Sequence, residues 1–252
     1  MRVLVTLGGT SERIDQVRSI TNHSSGKLGN DVIQQLIEQQ IQVDAIVTTS
    51  AIQPAVHPNV TIHSIDDTQA LLTTLTNLMT HFTYDAVIHS MAVSDFTPTL
   101  SDSEEQFLTK LNTWIQQNPG KLMNATDFKI FLQPTNQKQA TKLSSATDHL
   151  VLLLEKTPKV IQKIKQLQPN TLLVGFKLLV DVPQAELFSV AKATLLKSDA
   201  DFVLANDLTA IDETQHIGYL LNREGLVAQA TTKTAIAKMI VEQLIIVNNQ
   251  KE

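Results

Sequence analysis

The chain has 252 residues, of which 42% are hydrophobic and 18% charged, and its formal net charge is −5. A chain of this length can bury about 70–75% of its unfolded surface, so it needs no disulfide or metal for stability. The composition argues against a disordered chain and a coiled coil, and the acidic balance against non-specific nucleic-acid binding. Because there is no cysteine, a disulfide framework, a cysteine–zinc site and a thiol nucleophile are excluded, and a reducing cytoplasm is the expected compartment.

The hydrophobic pattern predicts strands that alternate with helices along most of the chain. The predicted strands are residues 3–7, 42–48, 84–91, 151–154, 172–176 and 202–205. The predicted helices are residues 27–39, 66–81, 158–167, 183–197 and 232–246, and an edge hairpin is expected at 216–230 with its turn at 222–225. This alternation predicts an α/β fold of three layers, Rossmann-like, with a mostly parallel sheet, in one domain over 1–252.

No apolar run approaches the roughly 18 residues that a membrane span needs, so no membrane association is expected. The first seven residues are too few for a signal-peptide core and are interpreted as the first strand. Residues 97–141 interrupt the alternation with a polar segment rich in Gln, Asn and Thr, in which a short helix is expected at 104–117. Segments of this length are usually functional, so a flap or arm insertion is predicted here.

Two polar loops lie between the first predicted strand and the first predicted helix. Gly8-Gly9-Thr10 follows the strand directly, and its backbone N–H groups favour an anion. It is neither a G-x-G-x-x-G fingerprint nor a Walker A loop, and a plain tight turn is the alternative. The second loop, residues 18–29, collects Asn22, two serines and Lys27 before the helix. A phosphate or carboxylate site is one interpretation, and an ordinary helix cap by Ser24 or Ser25 is the other.

Other predicted strands also end in polar groups. Asp95 follows the strand at 84–91 and is a candidate ligand for a metal or a ribose hydroxyl, with a helix cap as the alternative. His89 is interpreted as a satisfied core histidine. Pro158 suits the first position of a helix whose N–H groups could bind phosphate. Further polar groups follow the strands at 172–176 and 202–205. Ligands of open α/β sheets bind outside the carboxyl ends of the strands, so all these groups are expected at one edge.

Taken in order, six segments resemble phosphopantothenate–cysteine ligase of coenzyme A biosynthesis. They are GGTSERIDQVRSITNHSSGKLG (8–29), MAVSDF (91–96), KLSS (142–145), LEKTPKVIQKIK (154–165), LVGFKLL (173–179) and ADFVLANDL (200–208). The resemblance implies a ligase that joins 4′-phosphopantothenate to L-cysteine through an acyl-nucleotide, with release of pyrophosphate. It further implies CTP, or else ATP, as co-substrate, Mg²⁺, a homodimer, and a free-standing form that works with a separate phosphopantothenoylcysteine decarboxylase. No nucleic-acid or membrane partner is expected.

The resemblance also assigns roles to individual residues. Asn22 matches the residue that holds the acyl carbonyl and turns over the acyl-nucleotide, and Lys142 matches the lysine of a strap that closes over the nucleotide. Asp95 matches an aspartate that contacts nucleotide and cation. The remaining nucleotide contacts would be Gly8, Gly9, Thr10, Met91, Ala92, Pro158, Lys159, Val160, Ile161, Phe176 and Lys197. The remaining substrate contacts would be Ser24, Ser25, Gly26 and Asn206.

The chain departs from the ligase pattern between Asp95 and Lys142, which are 47 residues apart where the family has a short strap. A longer strap, a dimer arm and a disordered insertion are all compatible with the extra polar residues. Two other functions stay open, a nicotinamide-dependent reductase and a nucleotide-binding module without catalysis. Against the reductase, G-x-G-x-x-G is absent, and neither Tyr84 nor Tyr219 has a lysine four residues further on.

Overall fold

The structure is a computed structural model that describes residues 1–132, 147–211 and 215–250. Its strands are β1 (Arg2–Leu7), β2 (Ser11–Arg13), β3 (Ser19–Thr21), β4 (Gln42–Thr48), β5 (Val60–Ile65), β6 (Ala86–His89), β7 (Phe96–Ser103), β8 (Leu150–Lys156), β9 (Leu172–Leu179), β10 (Phe202–Asp207), β11 (Gly218–Leu221) and β12 (Leu226–Ala230). Its helices are α1 (Lys27–Glu38), α2 (Thr68–His81), α3 (Glu104–Gln117), α4 (Ala125–Phe131), α5 (Val160–Leu167), α6 (Gln184–Ser198) and α7 (Lys233–Asn249).

The chain forms two compact units. The larger comprises Met1–Thr10, Asn22–Val93 and Pro158–Glu252, and the smaller comprises Ser11–Thr21 and Ser94–Thr157. The assignment of 1–252 to one ligase domain stays a prediction. None of the described helices combines the length and the apolar composition that a membrane crossing requires.

The larger unit is built on an eight-stranded sheet in the order β12-β11-β10-β9-β6-β1-β4-β5. The six strands from β10 to β5 in this order run parallel, and β11 and β12 are antiparallel. The hairpin turn is closed by Asn222 N–H donating to the Gly225 carbonyl at 2.9 Å. The predicted parallel sheet with an edge hairpin is therefore confirmed. Strand β5 was not predicted, because its exposed polar residues hide the apolar pattern.

Helices cover both faces of this sheet. Helices α1 and α7 pack on one face, where Val32 and Leu36 share a core with Ile236 and Ile240. Helices α2, α5 and α6 pack on the other face. Strand β1 sends alternate residues into each core, and Val3 to Leu7 are all fully buried. Such continuous burial is typical of a parallel strand covered on both faces, and it makes this unit a three-layer Rossmann-like α/β fold.

The smaller unit contains two antiparallel ribbons, β2 with β3 and β7 with β8. The prediction that residues 151–154 continue the α/β alternation is wrong, because they belong to β8 and pair with β7 outside the main sheet. The predicted helix at 104–117 is confirmed as α3, which begins with a capping box between Ser103 and Gln106. Neither β7 nor α4 was predicted.

A buried carboxylate joins three strands at the amino-terminal edge of the main sheet. Asp44 on β4 accepts hydrogen bonds from Arg2 Nε at 2.8 Å, Tyr84 Oη at 2.9 Å and His63 Nε2 at 3.0 Å. The Arg2 guanidinium also lies 3.7 Å from the centre of the Phe82 ring. Burial alone would raise the pKa of Asp44, but the hydrogen bonds from His63, Arg2 and Tyr84 hold that pKa below its usual value.

Asp44→Asn should lower the free energy of unfolding by about 2–3 kcal/mol, because it leaves charged donors without their acceptor. The parent should lose the contribution of Asp44 as the pH falls below about 4, since the lowered folded pKa stabilises the protein only where the carboxyl is ionised. Urea denaturation of both proteins from pH 7 to pH 3 measures this. Glu242→Gln is the control, because this exposed residue pairs with Lys238 at 3.8 Å and should contribute less than about 0.5 kcal/mol. Equal stability of Asp44→Asn and the parent at pH 7 would contradict the assignment.

Candidate active site

The turn after β1 is tied by backbone hydrogen bonds to two other segments at the carboxyl-terminal edge of the sheet. Ala92 N–H donates to the Gly8 carbonyl at 2.9 Å, and Thr10 N–H donates to the Ala92 carbonyl at 3.0 Å. Asn22 N–H donates to the Thr10 carbonyl at 3.0 Å. The turn, the segment after β6 and the loop before α1 therefore form one connected layer of backbone.

Two glycines make this layer possible. A Cβ atom on Gly9 would lie 1.8 Å from the Asn22 carbonyl oxygen. Gly8 has φ of 98°, and a Cβ there would lie 2.1 Å from Thr48 Oγ1. Residues with side chains would move the loop at Asn22 away from the turn, so the sequence Gly8-Gly9 is required by close backbone approach.

Helix α1 begins beside this layer without a side-chain cap. Its N-cap is Gly26, with φ of 72° and no capping hydrogen bond from a side chain. The alternative in which Ser24 or Ser25 caps the helix is wrong, because Gly26 occupies the cap and Ser25 Oγ makes only a 3.4 Å contact with Lys27 N–H. The N–H groups of the first turn thus keep their capacity to bind an anion.

Most of the other predicted nucleotide and substrate residues lie at the same edge of the larger unit. Met91 and Ala92 follow β6, and Ala92 bridges to Gly9. Phe176 is half-buried in the second half of β9, and Asn206 is buried near the end of β10. Pro158 and Lys159 directly precede α5, and Val160 and Ile161 are its first two residues. Pro158 is not the first helical residue, as was predicted, because Lys159 has non-helical backbone angles and the helix begins at Val160.

Three predicted residues are not brought to this edge by the described part of the larger unit. Asp95 belongs to the smaller unit, where it is exposed and its carbonyl accepts from Thr157 N–H at 3.1 Å. Its helix-cap alternative is wrong, because strand β7 and not a helix follows it. Lys142 and the KLSS motif lie outside the described residues. Lys197 lies in the last turn of α6, which leads back to the opposite edge where β10 begins.

Two polar residues near the edge have structural roles. His89 is buried and its Nδ1 lies 2.9 Å from Thr6 Oγ1, which confirms the interpretation of a satisfied core histidine. Burial lowers the pKa of His89 to about 4, so the ring is neutral at pH 7. The Asp207 carboxylate binds the Thr209 hydroxyl and the N–H groups of Val182, Thr209 and Asp181, which lowers its pKa to about 2.

The described residues contain no group of three His, Asp or Glu side chains arranged for a metal ion. A Mg²⁺ ion is usually held by one or two carboxylates together with substrate phosphates and water. The exposed carboxylate of Asp95 suits that mode of binding, so the residues present fit a magnesium ion that arrives with a nucleotide.

The structure adds residues that the sequence motifs did not indicate. Thr48 is buried at the end of β4 against Gly8, and its hydroxyl has no hydrogen-bond partner in the described part of the chain. Its position at the end of a predicted strand was the available signal. His216 Nε2 lies 3.2 Å from the Asn206 amide nitrogen, and Lys233 is the first residue of α7. No motif or spacing marks either of these two.

The three layers and the glycine turn at the carboxyl edge define a Rossmann-like α/β protein whose candidate site is suited to anions. The chain belongs to the family of the DNA/pantothenate metabolism flavoprotein C-terminal domain, which matches residues 1–119 and 124–247. This membership confirms the resemblance that the sequence motifs indicated.

Solved structures and curated relatives agree with this membership. The crystal structure of the DNA/pantothenate metabolism flavoprotein from Streptococcus pneumoniae is 39% identical, with a TM-score of 0.82, and covers 98% of this chain and 99% of that one. The C-terminal domain of the coenzyme A biosynthesis bifunctional protein CoaBC shares the fold at 21% identity and a TM-score of 0.65, over 98% of this chain and 96% of that one.

Among curated relatives, CoaBC of Thermococcus kodakarensis is 30% identical over 223 residues, which are 88% of this chain and 45% of that protein. CoaBC of Methanocaldococcus jannaschii is 26% identical over 96% of this chain and 50% of that protein. The chain therefore spans about half the length of the curated relatives it matches.

Gly9→Ala should weaken binding of CTP, the nucleotide that the resemblance implies, by about 100-fold. The new Cβ displaces the Asn22 loop, and a displacement of about 1 Å is enough to disturb the geometry of a site that positions its ligand. Isothermal titration calorimetry measures the affinity. Gly120→Ala is the control: its φ of 74° strains an alanine locally, but a Cβ there meets nothing within 4 Å, so CTP affinity should not change. Parental CTP affinity in Gly9→Ala would show that the position of the Asn22 loop does not determine binding.

Proposed function

We propose that the chain joins 4′-phosphopantothenate to L-cysteine through an acyl-CMP intermediate, releasing pyrophosphate, in coenzyme A biosynthesis. The observation that carries this proposal is the connected backbone layer of the Gly8–Thr10 turn and the Asn22 loop, at the uncapped start of α1. It brings anion-binding N–H groups and a polar amide side chain to one edge. Family membership and the curated CoaBC relatives support the choice of reaction.

In the first half-reaction a carboxylate oxygen of 4′-phosphopantothenate attacks the α-phosphorus of CTP, and pyrophosphate leaves. Two anions must approach each other, so positive groups and N–H donors have to neutralise their charge. The N–H groups of Gly8 and Gly9 and of the first turns of α1 and α5 bind phosphate oxygens in this proposal, with Lys142 as a further cation. Asp95 would hold Mg²⁺, which when bound supplies further neutralisation of the triphosphate.

The other nucleotide contacts of the proposal are Met91, Ala92, Pro158, Lys159, Val160, Ile161 and Phe176. Lys197 is left out, because it lies at the opposite edge of the sheet.

In the second half-reaction the cysteine amine attacks the acyl carbon, and CMP leaves with the electron pair of the broken acyl–phosphate bond. Negative charge develops on the acyl oxygen, and the Asn22 side-chain amide is the donor that stabilises it. Ser24, Ser25, Gly26 and Asn206 contact the phosphopantothenoyl part in this proposal. The product retains the cysteine carboxylate, which a phosphopantothenoylcysteine decarboxylase would remove next.

CTP rather than ATP as the preferred nucleotide, and a homodimer as the active form, belong to the same proposal. Nothing in the described residues favours the reductase alternative. The hydroxyl of Tyr84 is bound to Asp44 in a buried network at the amino-terminal edge, so it is not available as a proton donor to a substrate.

A pyrophosphate-release assay with 4′-phosphopantothenate tests the reaction, with CTP, ATP and GTP compared with and without cysteine. We expect CTP-dependent pyrophosphate release, and phosphopantothenoylcysteine only when cysteine is added. Tight CTP binding without pyrophosphate release would replace the ligase by a non-catalytic nucleotide-binding module.

Asn22→Ala should slow the second half-reaction by about 2.7–4 kcal/mol, the scale of a lost oxyanion donor, so acyl-CMP should form and persist. Lys142→Ala should instead slow acyl-CMP formation itself. Single-turnover quenching with detection of acyl-CMP separates the two steps, and Asn249→Ala, exposed at the end of α7, is the control. Parental turnover of Asn22→Ala in the presence of cysteine would remove Asn22 from the mechanism.

A further inference from the structure

A buried histidine near the carboxyl edge has a ring nitrogen without a partner. His216 is 7% exposed, and its Nδ1 makes no hydrogen bond with any described residue. A buried polar atom in this state is unfavourable unless a partner arrives in the working protein. His216 Nδ1 therefore needs a hydrogen-bond acceptor that the described residues do not supply.

The contact with Asn206 determines what this nitrogen offers. The Asn206 amide nitrogen donates to His216 Nε2 at 3.2 Å, so Nε2 accepts and the proton of the neutral ring is on Nδ1. Burial lowers the pKa of His216, and the nearby charge of Lys233 lowers it further, so the ring is neutral at pH 7. Nδ1 of the neutral ring therefore carries the proton and can donate a hydrogen bond to an anion or a carbonyl oxygen.

Two helix N-termini lie at the edge of the sheet where His216 lies. His216 N–H donates to the Thr231 carbonyl at 2.8 Å, one residue before Thr232, the N-cap of α7. Helix α1 packs beside α7 in the same core and also begins at the carboxyl edge. These helices have 12 and 17 residues, so both present the positive end of a macrodipole at this edge.

The charged side chains at the starts of α1 and α7 carry an excess of positive charge. Lys27 begins α1, Lys233 begins α7, and both act on the carboxyl of Asp31, one turn into α1. Burial raises the pKa of Asp31, and the two lysines oppose that rise. In the described part of the chain neither lysine's side-chain ammonium forms an ion pair or hydrogen bond. Two cations, one carboxylate and the His216 donor together favour an anion.

We propose that His216 and Lys233 complete a phosphate-binding subsite with the N-termini of α1 and α7. His216 Nδ1–H and the Lys233 ammonium bind the oxygens of one phosphoryl group, and Asn206 holds the ring in the donating tautomer. Asp31 lowers the positive charge of the subsite and so limits its affinity. The phosphoryl group belongs to CTP or to 4′-phosphopantothenate, and that identification rests on the proposed function.

The test uses calorimetric binding to the full chain, without turnover. The probes are inorganic triphosphate, CTP against cytidine, and 4′-phosphopantothenate against pantothenate. His216→Gln keeps an acceptor for Asn206 but loses the Nδ1 donor, whereas His216→Asn places an amide nitrogen where Nδ1 was. Lys233→Met removes the charge, and Lys238→Met on the same helix is the matched control.

We expect His216→Gln and Lys233→Met each to weaken inorganic triphosphate binding by about tenfold, the effect of one lost hydrogen bond to a charged group. His216→Asn should restore most of the affinity, Lys238→Met should not change it, and Asp31→Asn should raise it. The source of the phosphate is CTP if the variants lose discrimination between CTP and cytidine. It is 4′-phosphopantothenate if they lose discrimination between that compound and pantothenate.

Parental affinity of both His216→Gln and Lys233→Met for every probe would overturn the subsite. Equal loss in His216→Asn and His216→Gln would overturn the role of Nδ1, and thermal melting of each variant separates this from unfolding. If the parent binds triphosphate but neither CTP nor 4′-phosphopantothenate, the proposed function fails and the phosphate subsite stands. If the parent binds no probe, both fail.

Discussion

The close approach of two backbone segments at residues 9 and 22 determines the geometry of the candidate site. The Asn22 carbonyl occupies the space that a side chain at position 9 would need. The same loop continues into Gly26 and the start of α1, so the direction of the helix depends on this contact. Because Thr10 is hydrogen-bonded to both Asn22 and Ala92, strands β1 and β6 and helix α1 meet in a fixed arrangement. A site for anions follows from backbone geometry before any charged side chain contributes.

Buried polar groups at the edges of the main sheet differ in how fully their hydrogen bonds are satisfied. At the amino-terminal edge, Asp44 is surrounded by three donors, and such saturation is what a structural carboxylate requires. The Thr171 hydroxyl, just before β9 at the same edge, is buried and has no partner in the described part of the chain. At the carboxyl-terminal edge, the Thr48 hydroxyl and His216 Nδ1 are in the same state. Folding alone does not explain why such groups persist, since each is unfavourable. Thr48 and His216 lie at the edge where ligands bind in open α/β sheets, which is consistent with a binding role for these two residues.

The sequence predicted the larger unit well because its strands and helices differ in period. Residues 42–48 were predicted with the bounds that β4 has, since Val43 and the run Ala45–Val47 are apolar, as expected for a strand covered on both faces. The smaller unit was harder. Strand β7 contains Pro98 and few apolar residues, and none of the residues of α3 or α4 is fully buried. The hydrophobic pattern is weak where burial is slight, and of β7, α3 and α4 only α3 was predicted.

The site was predictable in part for a related reason. Gly8, Asn22 and Asn206 belong to motifs in short contiguous segments, so the sequence shows them together. His216 and Lys233 reach the same edge only through the pairing of β10 with β11 and the packing of α7 on α1. Such contacts join residues that are far apart in the chain, and no spacing rule applies to them. Lys197 shows the converse, since its proximity to a strand in sequence did not reveal which end of that strand it approaches.

Each of the two chain segments that form the smaller unit is closed at its base by one backbone hydrogen bond. Asn22 N–H reaches the Thr10 carbonyl at 3.0 Å, and Thr157 N–H reaches the Asp95 carbonyl at 3.1 Å. Residues added between such closed ends leave the ends where they are, and doubling the length of a flexible loop costs only about 0.6 kcal/mol in closure entropy. The 46 residues between Asp95 and Lys142 therefore add little closure entropy to the chain. Insertions and deletions can accumulate between these ends in related chains while the register of the main sheet is inherited unchanged.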